Sequence, residues 1–215
     1  MPKMPTIINR SVVVASVLLI FLVAMNSCRH KSSASNDSTN IAPTKVYTSE
    51  ALGWQIEIPD SFQIISQDQM EAFDRQGQAI VGQSEEDITE HDGLKYLISF
   101  GKDDFNIFAA TAEPFELMYD GEYEDNNRLL NELIYQTFVN QGLTIDTVSG
   151  SIMIDQLEFM TFKTNIYSPD GDIIITQELF NRYINGYDFS VNLTYNNDAD
   201  KTVILDAWKA STFEN

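Results

Sequence analysis

The sequence predicts an α+β domain, an antiparallel β-sheet flanked by helices as an α/β/α sandwich, in the order ββ-α-ββ-α-ββββ-α. Three observations lead there. Tyr187, Phe189, Val191, Leu193 and Tyr195 alternate with Asp188, Ser190, Asn192 and Thr194, the period of a strand with one packed and one wetter face. Asn185-Gly186 and Pro169-Asp170-Gly171 separate β-prone runs with hairpin-turn residues. Leu130, Leu133, Ile134 and Phe138 recur at helical spacing before Gly142.

The elements follow in chain order. Val46 to Glu50 and Trp54 to Ile58 are short β-prone runs around Gly53, and Pro59-Asp60 stops the second, so they make a hairpin. Ser66-Gln67-Asp68-Gln69 has capping-box spacing, and Met70, Phe73, Gly77, Ile80 and Val81 continue at helical intervals to Gly82. Leu94, Tyr96, Ile98 and Phe100 alternate, and Lys102-Asp103-Asp104 turns them into Phe105 to Ala112, a second hairpin. Glu122, Glu124 and Asp125 place negative charge at the start of a helix expected over about 124–141. Strands are expected at 144–154, 157–168, 172–184 and 187–195. Asn197 or Asp198 caps a last helix packed through Val203, Leu205, Ala207 and Trp208, and Ser211 to Phe213 add a closing strand. Which strand edge lies uncovered is open at this level.

The landmarks Tyr47, Leu52-Gly53-Trp54, Ile58-Pro59 and Phe62, the central helix, the late meander and the terminal Trp208, Ser211 and Phe213 resemble the PsbP/Mog1 fold group and its small bacterial lipoprotein relatives. The resemblance covers about 170 residues and rests on structural positions, none of them a catalytic signature. It implies a compact sandwich used as a binding or assembly module. The acidic body and the segment from Gln83 to Gly93 depart from the plant-type photosystem proteins, so no photosynthetic role is carried over.

Ahead of this domain, 45–215, the chain reads as an address. Lys3 and Arg10 are the only charges before Cys28, and Val12 to Met25 is a fourteen-residue apolar run broken only by Ser16. A spanning helix needs about 20 apolar residues, whereas this length suits the core of a secretory signal, 1–27. The run ends in Met25-Asn26-Ser27-Cys28, which resembles the lipobox of bacterial lipoproteins; Ser27 fits, while Met25 and Asn26 depart from the commonest Leu-Ala/Ser form. Lipidation of Cys28 is expected. A single acyl chain binds a bilayer marginally, at about 0.8 kcal/mol per CH₂, and two or more hold it. Residues 28–44 are polar and Ser/Asn-rich, a flexible tether of about 20 Å mean reach. Arg29, His30 and Lys31 make a basic flank beside lipid head groups, and Asp37-Ser38-Thr39 matches a short O-glycosylation pattern. The absence of acids directly after Cys28 favours a periplasm-facing location in a Gram-negative-type envelope, by resemblance to known sorting signals.

Charge and composition exclude several chemistries. Thirteen Lys+Arg against 32 Asp+Glu give a net charge of -19, and loss of Lys3 and Arg10 with the signal makes it -21, which opposes binding to nucleic acid and to anionic lipid. One cysteine and two histidines, His30 and His91, leave no structural zinc set and no internal disulfide. His91 lies in a turn-like stretch, and the chain has no Gly-x-Ser-x-Gly elbow, phosphate loop, dinucleotide fingerprint or His-Glu-x-x-His pair. No catalytic residue and no cofactor is assigned. The acids Asp120, Glu122, Glu124 and Asp125, and separately Glu85, Glu86 and Asp87, are weak cation candidates without EF-hand spacing; helix-start charge and a solvated loop explain them equally well. Asp170-Gly171-Asp172 reads as a turn. Tyr47, Trp54, Phe62, Tyr187, Phe189, Tyr195 and Trp208 read mostly as core.

The function expected is a membrane-anchored, non-enzymatic envelope lipoprotein that binds a protein partner or assists an assembly. A small-ligand or cation carrier with a pocket between the meander and a helix is the alternative, and a hydrolase using acids alone is the third.

Overall fold

The computed structural model describes residues 45–70, 72 and 93–214. Cys28, His91, Glu85 to Asp87 and most of the first helix expected from the sequence lie outside them. Among the described residues the elements follow in the order β1 (Lys45–Ser49), β2 (Trp54–Ile58), β3 (Gln63–Ile64), β4 (Lys95–Asp103), β5 (Asn106–Pro114), α1 (Glu122–Asn140), β6 (Thr144–Ile154), β7 (Leu157–Tyr167), β8 (Ile173–Ile184), β9 (Tyr187–Tyr195), α2 (Asp198–Lys209) and β10 (Thr212–Phe213). A further helix begins at 67–70. Its capping box is formed: the Gln69 amide donates to Ser66 Oγ at 3.3 Å and the Ser66 amide to Gln69 Oε1 at 3.0 Å.

The strands form two sheets rather than one. Seven run in the order β3-β4-β5-β9-β8-β7-β6, and β1-β2-β10 make a smaller sheet. All pairings are antiparallel. The two-residue β3 has no period long enough to read in sequence, and β10 joins β2 through contacts about 160 positions apart, Phe213 opposite Trp54. Turn chemistry acts at the expected places. Asn185 (φ 52) and Gly186 (φ 84) are both left-handed, as are Asp155 (φ 42) and Gln156 (φ 67).

The large sheet is the middle layer. Against one face pack β1-β2-β10 and α2, with Trp54 and Trp208 fully buried among Phe108, Phe159, Phe189 and Phe213. The Trp208 ring lies 5.1 Å from Phe159, edge to face, and Trp54 lies 5.0 Å from Phe189. Against the other face α1 presses Leu130, Ile134 and Phe138 onto Phe162, Ile166, Ile175 and Leu179, while Met70 covers Ile107 and Ala109. This is the α/β/α sandwich.

Three packing expectations change. Leu133 is 37% exposed, because the buried stripe of α1 is Tyr123, Asn127, Leu130, Ile134 and Phe138. Val203 is likewise exposed, and Ile204 takes its place beside Trp208 in α2. The polar face of β9 is not wet: Asp188, Ser190, Asn192 and Thr194 are all buried, since a central strand of a three-layer sandwich has no solvent side. Ser190 donates to Asn181 Oδ1 across the β8–β9 pairing at 2.7 Å.

Candidate functional site

The start of α1 sets the geometry of the site. Gly121, at φ 87, turns the chain into the helix with no side-chain cap, and the carboxylate of Glu122 accepts a hydrogen bond from the Met118 amide instead. Asp125 binds the Arg128 guanidinium at 2.8 Å, one turn along. Asp120 is exposed in the preceding turn, and Glu124 is exposed on the flank of the helix that lines a cleft. Glu122 and Asp125 are thus engaged by local helix-start contacts. Among the described residues no three His, Cys, Asp or Glu side chains converge as a metal group.

Between that flank and the β6–β7 pair lies a cleft of ≈ 550 Å³. Glu124, Asn131, Glu132 and Tyr135 line its helix side, and Thr147 and Ser149 its strand side. Phe162, whose ring belongs to the core beneath α1, forms the floor. Asn131 Oδ1 is buried and has no hydrogen-bond partner among the described residues. The volume falls in the range of small-ligand pockets, about 300–1,000 Å³, and polar side chains from both walls frame an apolar lining.

The strand wall of the cleft is also the border of the sheet. β6 pairs with β7 over its full length, Thr144 opposite Tyr167 through Ile154 opposite Leu157, and among the described residues no strand lies on its other side. Val148 and Met153 stand 61% and 60% exposed along it. Its one charged residue, Asp146, accepts from Asn165 Nδ2 at 2.7 Å and from Tyr167 Oη at 2.6 Å. The hydrogen bond to Asp146 holds the Tyr167 phenol above its ordinary pKa.

A second, smaller cleft of ≈ 320 Å³ opens on the opposite face beside the start of α2. Its two lysines are answered locally. Lys163 lies 3.6 Å from Glu178, and Lys201 sits 5.3 Å above the Tyr195 ring. Tyr195 donates to Glu178 at 2.6 Å, and burial together with that carboxylate pushes its phenol far up.

Sequence reasoning missed the buried acids Glu113, Asp188 and Asp200. Asp188 accepts a hydrogen bond from Tyr123 Oη at 2.7 Å, tying β9 to the first turn of α1. Burial raises its carboxyl to about 6, the neighbouring Glu113 adds to that, and the Tyr123 hydrogen bond opposes it. Tyr123 is itself raised well above its usual value by burial and by Asp188. The signal was an acid inside a faultlessly alternating strand, which reads as solvent-facing unless the second layer is known. Neither Asp188 nor Glu113 lines the cleft. Asp170-Gly171-Asp172 is a hairpin turn, with the Gly171 amide donating to the Ser168 carbonyl at 3.0 Å. Of the aromatics, Trp54, Phe62, Phe189, Tyr195 and Trp208 are buried, and Tyr47 and Tyr187 are partly so.

No protein-family model matches the chain, and no curated protein matches it. Among solved structures it is similar to the cyanobacterial PsbP (CyanoP) of Synechocystis sp. PCC 6803, determined in solution. The TM-score is 0.53 at 9% identity, over 84% of this chain and 98% of that one. At that identity the likeness shows the fold, a PsbP-like sandwich. No helix among the described residues is long and apolar enough to cross a membrane.

Proposed function

We propose that this chain is a bacterial envelope lipoprotein, held to a membrane through acylated Cys28, whose PsbP-like domain works as a non-catalytic protein-binding module on the periplasmic side. The observation that carries the binding role is β6, an eleven-residue strand with no partner strand on its outer side among the described residues, set directly beside the α1 cleft. The anchor rests on the apolar run Val12 to Met25 ending at Ser27-Cys28, and the tether 28–44 gives the domain about 20 Å of reach from the lipid. The acidic body, repelled by anionic head groups, favours a module that works on proteins over one that lies on the bilayer.

The test is brief crosslinking in the producing cells, followed by purification of the full chain from solubilised membranes. A partner protein that reappears in independent preparations supports the reading. A chain that comes out alone counts against it and favours the second reading, a small-ligand carrier using the ≈ 550 Å³ cleft. That reading predicts a rise in melting temperature with a bound compound, since a ligand of the folded state stabilises it.

A further inference from the structure

We infer that β6 and the adjoining cleft receive an extended, Lys- or Arg-bearing segment of a partner protein, added to the large sheet as an eighth strand. The inference rests on the protein-binding reading above and names its site and its chemistry.

Edge strands offer unpaired amide and carbonyl groups to any chain that arrives, and folded proteins commonly blunt them with lysine, proline, bulges or short length. The other edge of this sheet is blunted in that way, because β3 has only two residues. β6 is not. It has eleven residues, no Lys, Arg or Pro, and a register with β7 that runs unbroken from end to end. Its one acid is already held by Asn165 and Tyr167, so it does not act as a guard. Ser149, Gly150 and Ser151 keep the middle of the edge low, with exposed Val148 and Met153 on either side of them.

A strand laid along β6 would send alternate side chains to the face that Thr147 and Ser149 occupy, which is the face of the cleft. There they meet Glu124 and Glu132, while the one cation of the lining, Arg128, is engaged by Asp125 at 2.8 Å. The unanswered charge of the cleft is negative, and a basic side chain complements it. Charge also decides against a second copy as occupant. The chain carries -19 formally, with 32 acids to 13 bases, so two copies repel where a basic segment is drawn in.

The experiment places a photo-crosslinking residue on the edge of the full-length chain in its own cells, Ser151→p-benzoylphenylalanine, and on the exposed face of β2 as a control, Glu57→p-benzoylphenylalanine. Val148→Lys and Met153→Lys are then combined, one at a time, with the substitution at Ser151; both sites are more than half exposed, and unchanged circular dichroism verifies the fold. The expected result is capture from position 151 but not from 57, a captured peptide rich in Lys or Arg, and a loss of about tenfold in yield with either lysine, equivalent to about 1.4 kcal/mol. Capture that persists through both lysines, occurs only from position 57, yields an acidic segment, or yields a second copy of this chain overturns the inference and leaves the chain a protein binder elsewhere. If neither position nor general crosslinking captures any protein, the protein-binding reading itself has failed.

Discussion

Glu113 and Asp188 face each other directly across the β5–β9 pairing, and both are buried, 7% and 5% exposed. Burial raises the Asp188 carboxyl to about 6, the hydrogen bond from Tyr123 Oη opposes that rise, and the facing Glu113 adds to it.

The first prediction is a pH dependence. A carboxyl raised from 3.8 to about 6 on folding binds its proton more tightly in the folded state. Its contribution is therefore fully favourable below about pH 4 and is lost as pH rises through 6. Asp188→Asn keeps an acceptor for Tyr123 and removes the charge. It is expected to stabilise the protein at pH 7.5, by on the order of 2 kcal/mol, and to change little at about pH 3.5. Thermal melts of both proteins at the two pH values check this; an equal effect at both would contradict it.

Gly53 governs closure by the C-terminal strand. It sits at φ 61, its carbonyl accepts from the Glu214 amide at 2.7 Å, and an added Cβ would meet the Glu214 carbonyl oxygen at 2.7 Å. Gly53→Ala should cost about 2 kcal/mol or more, from left-handed strain plus displacement of the residues after β10. Gly171→Ala, at φ 91 with nothing within 4 Å, should show the strain alone. Urea titrations of the two variants separate the terms.

Trp208 is fully buried, yet its indole nitrogen has no hydrogen-bond partner among the described residues. Ring volume is then what matters. Trp208→Ala is expected to cost about 3–5 kcal/mol, and Trp208→Phe clearly less, since no hydrogen bond is broken. Equal losses in denaturant melts would assign a role to the nitrogen.

Asn197 caps α2, with its Oδ1 accepting from the Asp200 amide at 2.9 Å and its Nδ2 donating to Asp200 Oδ2 at 2.9 Å. Asn197→Ala should lose about 1 kcal/mol, and Asn197→Ser less, because a serine hydroxyl restores the acceptor without setting a second carboxylate against Asp200. Hydrogen exchange at the Asp200 amide reads the cap directly.

The late meander was legible in the sequence because its turns carry their own chemistry: Asn185-Gly186 and Asp155-Gln156 fix the strand limits to within a residue. Capping was legible too, at Ser66 to Gln69 and at Asn197. Layering was not. Val203 and Ile204 are adjacent and equally apolar, and only the placement of α2 against the sheet decides which is buried. Asp188 and Ser190 read as solvent-facing because alternation reports that two faces differ, without reporting that α1 covers the polar one. The cleft joins residues of α1 to residues of β6 and β7, and the edge status of β6 depends on strand order, which no local pattern encodes.

The central claim is a domain held at a membrane by its own cysteine, and intact-mass measurement of the native chain purified from membranes tests it most directly. The account predicts a first residue at Cys28 carrying two or three acyl chains, and release of the Cys28→Ser variant from the membrane fraction. A native chain with unmodified Cys28, or one that retains residues 1–27, would contradict it.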